Sequence, residues 1–190
     1  MKKEKLGIAV LLIAMAFASC KSKMSEKMKE DFNQTKNDWS LFSSDLVSFG
    51  DTLKVKKDFL LAADKKITKK INKANQDKMA TFKTNSVTNE TTINNMWNDF
   101  NGYQKSFADS TTAFNTWASK IDTLKTSDKE VKIPLENYKT FLNNSKSKLQ
   151  QWSADMTNTM DASKKDIDDA IKIVGTAAPK SVKSTSKRKK

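Results

Sequence analysis

The chain has no histidine, one cysteine, four glycines and two prolines in 190 residues. Without an imidazole, serine–histidine triads and HExxH zinc sites are excluded. A lone cysteine excludes an intrachain disulfide. No P-loop or dinucleotide fingerprint occurs, and four glycines leave little from which to build one. The same scarcity removes the residues that stop helices. Beyond residue 20 only Gly50, Gly102, Gly175, Pro134 and Pro179 remain as strong breakers, so long helices can run through the chain.

What is present begins with Lys2, Lys3 and Lys5, followed by thirteen apolar residues from Leu6 to Ala18. A permanent membrane span needs about 20 apolar residues. The shorter run, with its basic flank, fits a cleavable export signal. It closes on Phe17-Ala18-Ser19-Cys20, which resembles the lipobox of bacterial lipoproteins: an apolar residue, two small residues and a cysteine. Phe17 stands where leucine is commoner, and the Phe/Ser pairing is similar to that in lipoproteins of Bacteroidota. The resemblance covers residues 1–20. It implies cleavage between Ser19 and Cys20, a diacylglycerol on the Cys20 sulfur and acylation of the new amino terminus. Two or three acyl chains hold stably where one binds only marginally. The resemblance thus implies residues 1–19 as signal, 20–24 as lipidated tether and a cell-envelope location on a membrane. Inner and outer membrane both stay open, with the outer favoured.

Charge is unevenly spread. Residues 54–83 carry a net +7 and residues 176–190 carry +6 without an acid, on a remainder that is close to neutral. These are the two candidate polyanion-binding segments.

Periodicity fixes the fold class. Met28, Phe32, Thr35, Trp39, Phe42, Leu46, Phe49 and Leu53 follow alternating steps of four and three, the spacing of a helix that buries one stripe. Leu60, Ile67 and Ala74 continue the every-seventh series, predicting one helix over about 25–83, with a break at Gly50 as the alternative. The polar run from Lys83 to Asn89 reads as a turn. Ile93, Met96, Phe100, Tyr103, Phe107, Ser110, Phe114, Trp117, Ile121 and Leu124 mark a second helix over about 90–125. Ser127-Asp128-Lys129-Glu130 fits a capping box, yet Pro134 would then fall inside the helix it starts. A third stripe runs Leu135, Tyr138, Leu142, Ser145, Leu149, Trp152, Met156, then a four-residue step to Met160, Ser163, Ile167, Ala170 and Val174, giving a helix over about 131–174 stopped by Gly175. The expectation is all-α: an elongated antiparallel bundle of three long helices over 25–175, four if the first breaks at Gly50. Aromatic-rich seams suit an intramolecular bundle, with self-association second. Residues 176–190 read as a disordered basic tail.

Candidate chemistry is sparse. Ser145 and Lys148 have S-x-x-K spacing without the accompanying S-D-N and K-T-G elements. Asp161, Asp166, Asp168 and Asp169 lack the loop glycine and final glutamate of an EF-hand and read as a solvated face. Trp39, Trp97, Trp117 and Trp152 read as core packing. No metal, cofactor or catalytic residue is expected. On a helix through residue 74, Lys65, Lys66, Lys69, Lys70 and Lys73 share the side opposite Ile67, a multivalent cationic surface or simply a solubilising face. Lys187, Arg188, Lys189 and Lys190 end the second basic segment, which resembles nucleic-acid-binding arms in composition. A helical lipoprotein ending in lysine is also similar to the murein-bound lipoproteins, in which the last lysine is joined to peptidoglycan. Thr52, Ser110 and Thr123 sit in Asp-Ser/Thr motifs resembling O-glycosylation sites of exported Bacteroidota proteins, although Ser110 falls on a core stripe.

The composite expectation is a lipid-anchored envelope lipoprotein acting as a non-catalytic spacer, scaffold or binding module. Its partners would be the membrane and an anionic envelope polymer, lipopolysaccharide or peptidoglycan, or an envelope protein. The alternatives are a protein–protein adaptor with merely solubilising lysines and, without export, a nucleic-acid-binding protein.

Overall fold

A computed structural model describes residues 23–121 and 124–175. The chain is all-helical there: α1 (Glu26–Thr68), α2 (Ala80–Ala118) and α3 (Asp128–Val174), packed against one another, with no strand among the described residues. α1 passes through Gly50 without interruption. Each helix contributes to two compact units. Unit 1 takes the described residues up to Ser40 together with Ser110–Asn143, and unit 2 takes Leu41–Asp109 and those from Asn144 onward.

In unit 1 both helix starts are capped. The Ser25 hydroxyl accepts the Met28 N–H at 3.3 Å, and the Ser25 N–H donates to the Asp128 carboxylate at 2.7 Å. That backbone hydrogen bond, with a smaller contribution from the Ser25 hydroxyl, holds the Asp128 pKa below the usual carboxylate range. The expected capping box forms one arm: the Ser127 N–H and hydroxyl donate to the Glu130 carboxylate at 2.8 and 2.7 Å. α3 therefore starts at Asp128, before the expected 131, and carries Pro134 in its second turn without the N–H that would bond back to residue 130. Met24, Phe32, Val131 and Leu135 form a buried cluster, against which Met28, Trp117, Ala118 and Ile121 pack. Beside it Trp39 stacks on Phe114, with ring centroids 4.4 Å apart, and on Phe141 at 5.6 Å.

Unit 2 is built the same way. Phe42 meets Phe107 edge-on at 5.1 Å, Phe49 meets Phe100 at 5.3 Å, and Phe100 and Tyr103 each meet the Trp152 ring edge-on. Leu53, Ala63, Ile67, Met79 and Ile93 are fully enclosed. Aromatic pairs contribute about 0.5–1.5 kcal/mol each beyond the area they bury. The Lys139–Asp31 and Lys148–Asp99 ion pairs, at 3.5 Å and partly exposed, contribute at most about 1 kcal/mol each. The ring-packed stripe, rather than charge pairing, holds each unit together.

Small polar residues on the stripes bond within their own helix. The Thr35 hydroxyl donates to the Asp31 carbonyl and that of Ser163 to the Thr159 carbonyl, both at 2.7 Å, so neither is buried without a partner. The relaxed step in the third stripe falls later than expected: Thr159 is buried and Met160 only half-buried, so the consecutive four-residue steps join Thr159, Ser163 and Ile167.

Further helix boundaries differ from expectation. α1 ends at Thr68 instead of about 83, and Ala74, which continued the every-seventh series, is exposed in the connection. Asn72 and Asn75 explain the stop. The Asn75 side chain accepts the Asn72 N–H at 2.8 Å and donates to the Lys70 carbonyl at 3.2 Å, while the Asn72 side chain accepts the Ala74 N–H at 2.9 Å. These bonds offer the backbone an alternative to the helical ladder. Conversely, the polar run from Lys83 to Asn89, expected as the turn, lies inside α2. There the Thr84 and Thr88 hydroxyls bond back to the Ala80 and Thr84 carbonyls. α2 also ends at Ala118, short of the expected 125, leaving Leu124 exposed.

Candidate functional site: a lysine-bearing turn

The five lysines singled out in sequence stay close in the chain but do not share a helix face. Lys65 and Lys66 occupy the last turn of α1, and Lys69, Lys70 and Lys73 lie on the connection to α2. The expected single cationic face is thus replaced by a helix end plus a turn. All five are exposed. Among the described residues no ion pair engages Lys65, Lys69, Lys70 or Lys73.

Local chemistry accounts for the arrangement. Lysines in a last helical turn offset the partial negative charge at the carboxyl end of the helix, by about 0.3–1 kcal/mol each when exposed. The turn is shaped by the asparagine bonds described above together with Lys70 N–H to Ile67 carbonyl at 2.8 Å and Gln76 N–H to Asn72 carbonyl at 2.9 Å. Its lysines are therefore presented on a structured backbone.

Two carboxylates of unit 2, Asp64 and Asp166, have neutral partners. Asp64 accepts from the Ser86 hydroxyl, and Asp166 accepts from Asn85 at 3.0 Å and Asn89 at 3.3 Å. These ties surround a cavity of about 20 Å³ lined by Leu60, Phe82, Ile167 and the polar groups themselves. That volume is close to the minimum for one water molecule. Sequence reasoning missed these ties because Ser86 and Asn89 occupy stripe positions between Phe82 and Ile93, where apolar residues are expected. The regular spacing of Met79, Phe82, Ser86, Asn89 and Ile93 is the signal that could have found them.

The remaining candidates are placed as follows. Ser145 is buried, while Lys148 lies 4.7 Å from the Trp152 ring centre and 5.2 Å from that of Tyr103 and pairs with Asp99. The S-x-x-K lysine is thus engaged by two rings and a carboxylate. Burial raises the pKa of the Tyr103 phenol, with Ser145 partly offsetting it. Within the acidic group, Asp166 serves the asparagine tie and Asp169 pairs with Lys172 at 2.8 Å, which lowers the Asp169 pKa and raises that of Lys172. Among the described residues no group of three or more potential ligands could hold a metal. Trp39 and Trp152 are buried, Trp117 is half-buried among Phe32, Phe114 and Tyr138, and Trp97 is half-buried with the Lys57 ammonium over its ring at 5.4 Å.

Thr52 is half-exposed in α1, its hydroxyl bonded to the Ser48 carbonyl at 2.9 Å, and Ser110 is half-buried in α2. Ser19, Cys20, Thr123, Lys187, Arg188, Lys189 and Lys190 lie outside the described residues. No described helix is long and apolar enough to cross a membrane. No family model matches the chain, and comparison with curated proteins and with solved structures finds no match.

Proposed function

We propose that this chain is a lipid-anchored lipoprotein of the cell envelope whose helical part is a non-catalytic spacer or binding module. The observation that carries the proposal is the order of features at the amino terminus: a basic flank, thirteen apolar residues ending in Ala18, then Ser19 and the only cysteine. Acylation gives that cysteine a role that neither a disulfide nor a metal site can.

The finer form of the fold belongs to the same proposal. Antiparallel order of neighbouring helices is supported within unit 2 by the pairing of Phe49 with Phe100 and of Asp64 with Ser86, since one residue number rises as the other falls. Phe49 also faces Trp152, and Leu60 shares its cavity with Ile167, as expected if α1 and α3 run the same way. On that order Gly175, where the chain continues into residues 176–190, belongs to the same end of unit 2 as the lysine turn. Two basic segments separated by a hundred residues would then act as one cationic surface toward phosphate or carboxylate groups of an envelope polymer.

Two measurements test this. In the native host, wild-type protein is expected to incorporate a radiolabelled fatty acid and to fractionate with membranes, whereas Cys20→Ala loses the label and leaves the membrane fraction. Label retained on Cys20→Ala, or wild type recovered unmodified from the cytosol, removes the anchoring proposal. Changing Lys65, Lys66, Lys69, Lys70, Lys73 and the four terminal basic residues to glutamine is expected to weaken sedimentation with purified lipopolysaccharide or cell wall by at least about tenfold at low salt. Binding unaffected by salt and by these changes would favour the adaptor reading, which the dipole-offsetting role of Lys65 and Lys66 supports.

A further inference from the structure

The end of unit 1 at which the described chain begins carries an unusual combination. Leu124, on the connection between α2 and α3, is 65% exposed, and Ile133, in the second turn of α3, is 70% exposed. Around them Lys23, Lys120, Lys129 and Lys132 are exposed, and among the described residues no ion pair engages any of the four. Three described acids of this end have other partners. Asp128 accepts the Ser25 N–H, Glu130 caps Ser127, and Glu26 pairs with Lys29. Apolar side chains among unpaired lysines form the pattern that settles in a bilayer interface, with the apolar groups at the acyl boundary and the ammonium groups at the phosphates.

The start of the described residues is fixed at this same end. Met24 is buried in the cluster with Val131 and Leu135, and the Ser25 N–H is held by Asp128, the first residue of α3. From Cys20 to Met24 there are four residues, a reach of about 14 Å at full extension. If Cys20 carries acyl chains, their bilayer cannot lie further from this surface than that, so its occupant is set by the length of the tether. We infer that this end of unit 1 docks on the lipid headgroup layer, with Leu124 and Ile133 entering the interface and Lys23, Lys120, Lys129 and Lys132 on lipid phosphates. The inference rests on the anchoring proposed above and goes beyond it, because a tether alone would leave this end in water.

The test uses the full chain purified from its host, with acylation of Cys20 checked by mass spectrometry. Since Cys20 is the only native cysteine, its acylation leaves an introduced thiol as the only one a label can reach. Leu124→Cys, Ile133→Cys and, as reference, Val47→Cys, 56% exposed in unit 2, each receive a fluorophore and are reconstituted into vesicles of phosphatidylethanolamine and phosphatidylglycerol. Nitroxide-labelled lipid is expected to quench the probes at 124 and 133 at least about twice as strongly as that at 47. Lys120→Gln, Lys129→Gln and Lys132→Gln together are expected to reduce that excess. Acylated protein with equal quenching at all three positions overturns the docking and leaves the anchoring standing, as does an excess indifferent to the lysine changes for the phosphate contact. An unmodified Cys20 overturns both.

Discussion

Trp39→Ala is expected to lower the stability of the protein by about 3–5 kcal/mol, the range for removing a large buried aromatic side chain. The indole is only 2% exposed. It lies nearly parallel to Phe114, stacks against Phe141, and takes the edge of Tyr138 at 5.8 Å. Its Nε1–H donates to the Thr111 hydroxyl at 2.9 Å. One side chain therefore joins α1 to both other helices within unit 1, and alanine removes the stack, the edge contact and the hydrogen bond together. Natural domains are stable by about 5–15 kcal/mol, so the loss would be a large share of the total. Trp39→Phe keeps most of the ring packing and should cost markedly less. Urea unfolding followed by circular dichroism measures both. A midpoint for Trp39→Ala within error of wild type would mean that the seam is not what holds unit 1 together.

Gly50→Ala is expected to destabilise by about 1–3 kcal/mol, opposite in sign to the usual effect in a helix interior. Alanine ordinarily gains about 1 kcal/mol over glycine there. At Gly50 a new Cβ would stand 2.7 Å from Cε1 and 3.0 Å from Cζ of Phe100. Phe100 is 1% exposed and enclosed by Phe49 and Trp152, so its ring has no room to withdraw. Gly102 is the built-in control: it is exposed and helical, an added methyl group there would meet nothing within 4 Å, and it should gain up to about 1 kcal/mol as alanine. The same unfolding assay compares the two. Stabilisation at both sites would refute the close approach of α1 and α2 at this level, while a Phe100→Leu background should reduce the penalty at residue 50 through coupling of the contacting pair.

Much of the core was legible without coordinates. Phe32, Thr35, Trp39, Phe42, Leu46, Phe49 and Leu53 are all buried, as are Ile93, Met96, Phe100, Phe107 and Phe114 on α2. A helix repeats every 3.6 residues, so a buried stripe leaves a periodic imprint that needs no knowledge of the partner. The stop at Gly175 was legible for a similar local reason. Its φ is +67° and its N–H bonds to the Ile171 carbonyl at 2.8 Å, closing the helix in the left-handed conformation that glycine adopts without a Cβ clash.

The connection between α1 and α2 was misplaced because both of its cues depend on which partner a polar side chain finds. Asn72 and Asn75 turn inward to their own backbone and end a helix whose apolar period continues on paper to Ala74. Ser86 and Asn89 turn toward Asp64 and Asp166 instead, and a run that reads as loop becomes a helix. The lysines followed this misplacement: their charge and exposure were evident in sequence, but the expected shared helical face was not formed.

The sequence by itself determined the all-helical class, the buried stripes and the amino-terminal pattern on which the proposed anchoring rests, because helical period, breaker content and signal order are properties of neighbouring residues. Only the tertiary structure decided that α1 passes Gly50 in close contact with Phe100, that polar residues occupy two stripe positions of α2, and that Leu124 and Ile133 stand exposed beside the start of the described chain. Each of these depends on residues dozens of positions apart meeting in space, through van der Waals contact with Phe100, carboxylates facing amides, or a Ser25 N–H held by Asp128, and chain order alone does not encode such meetings.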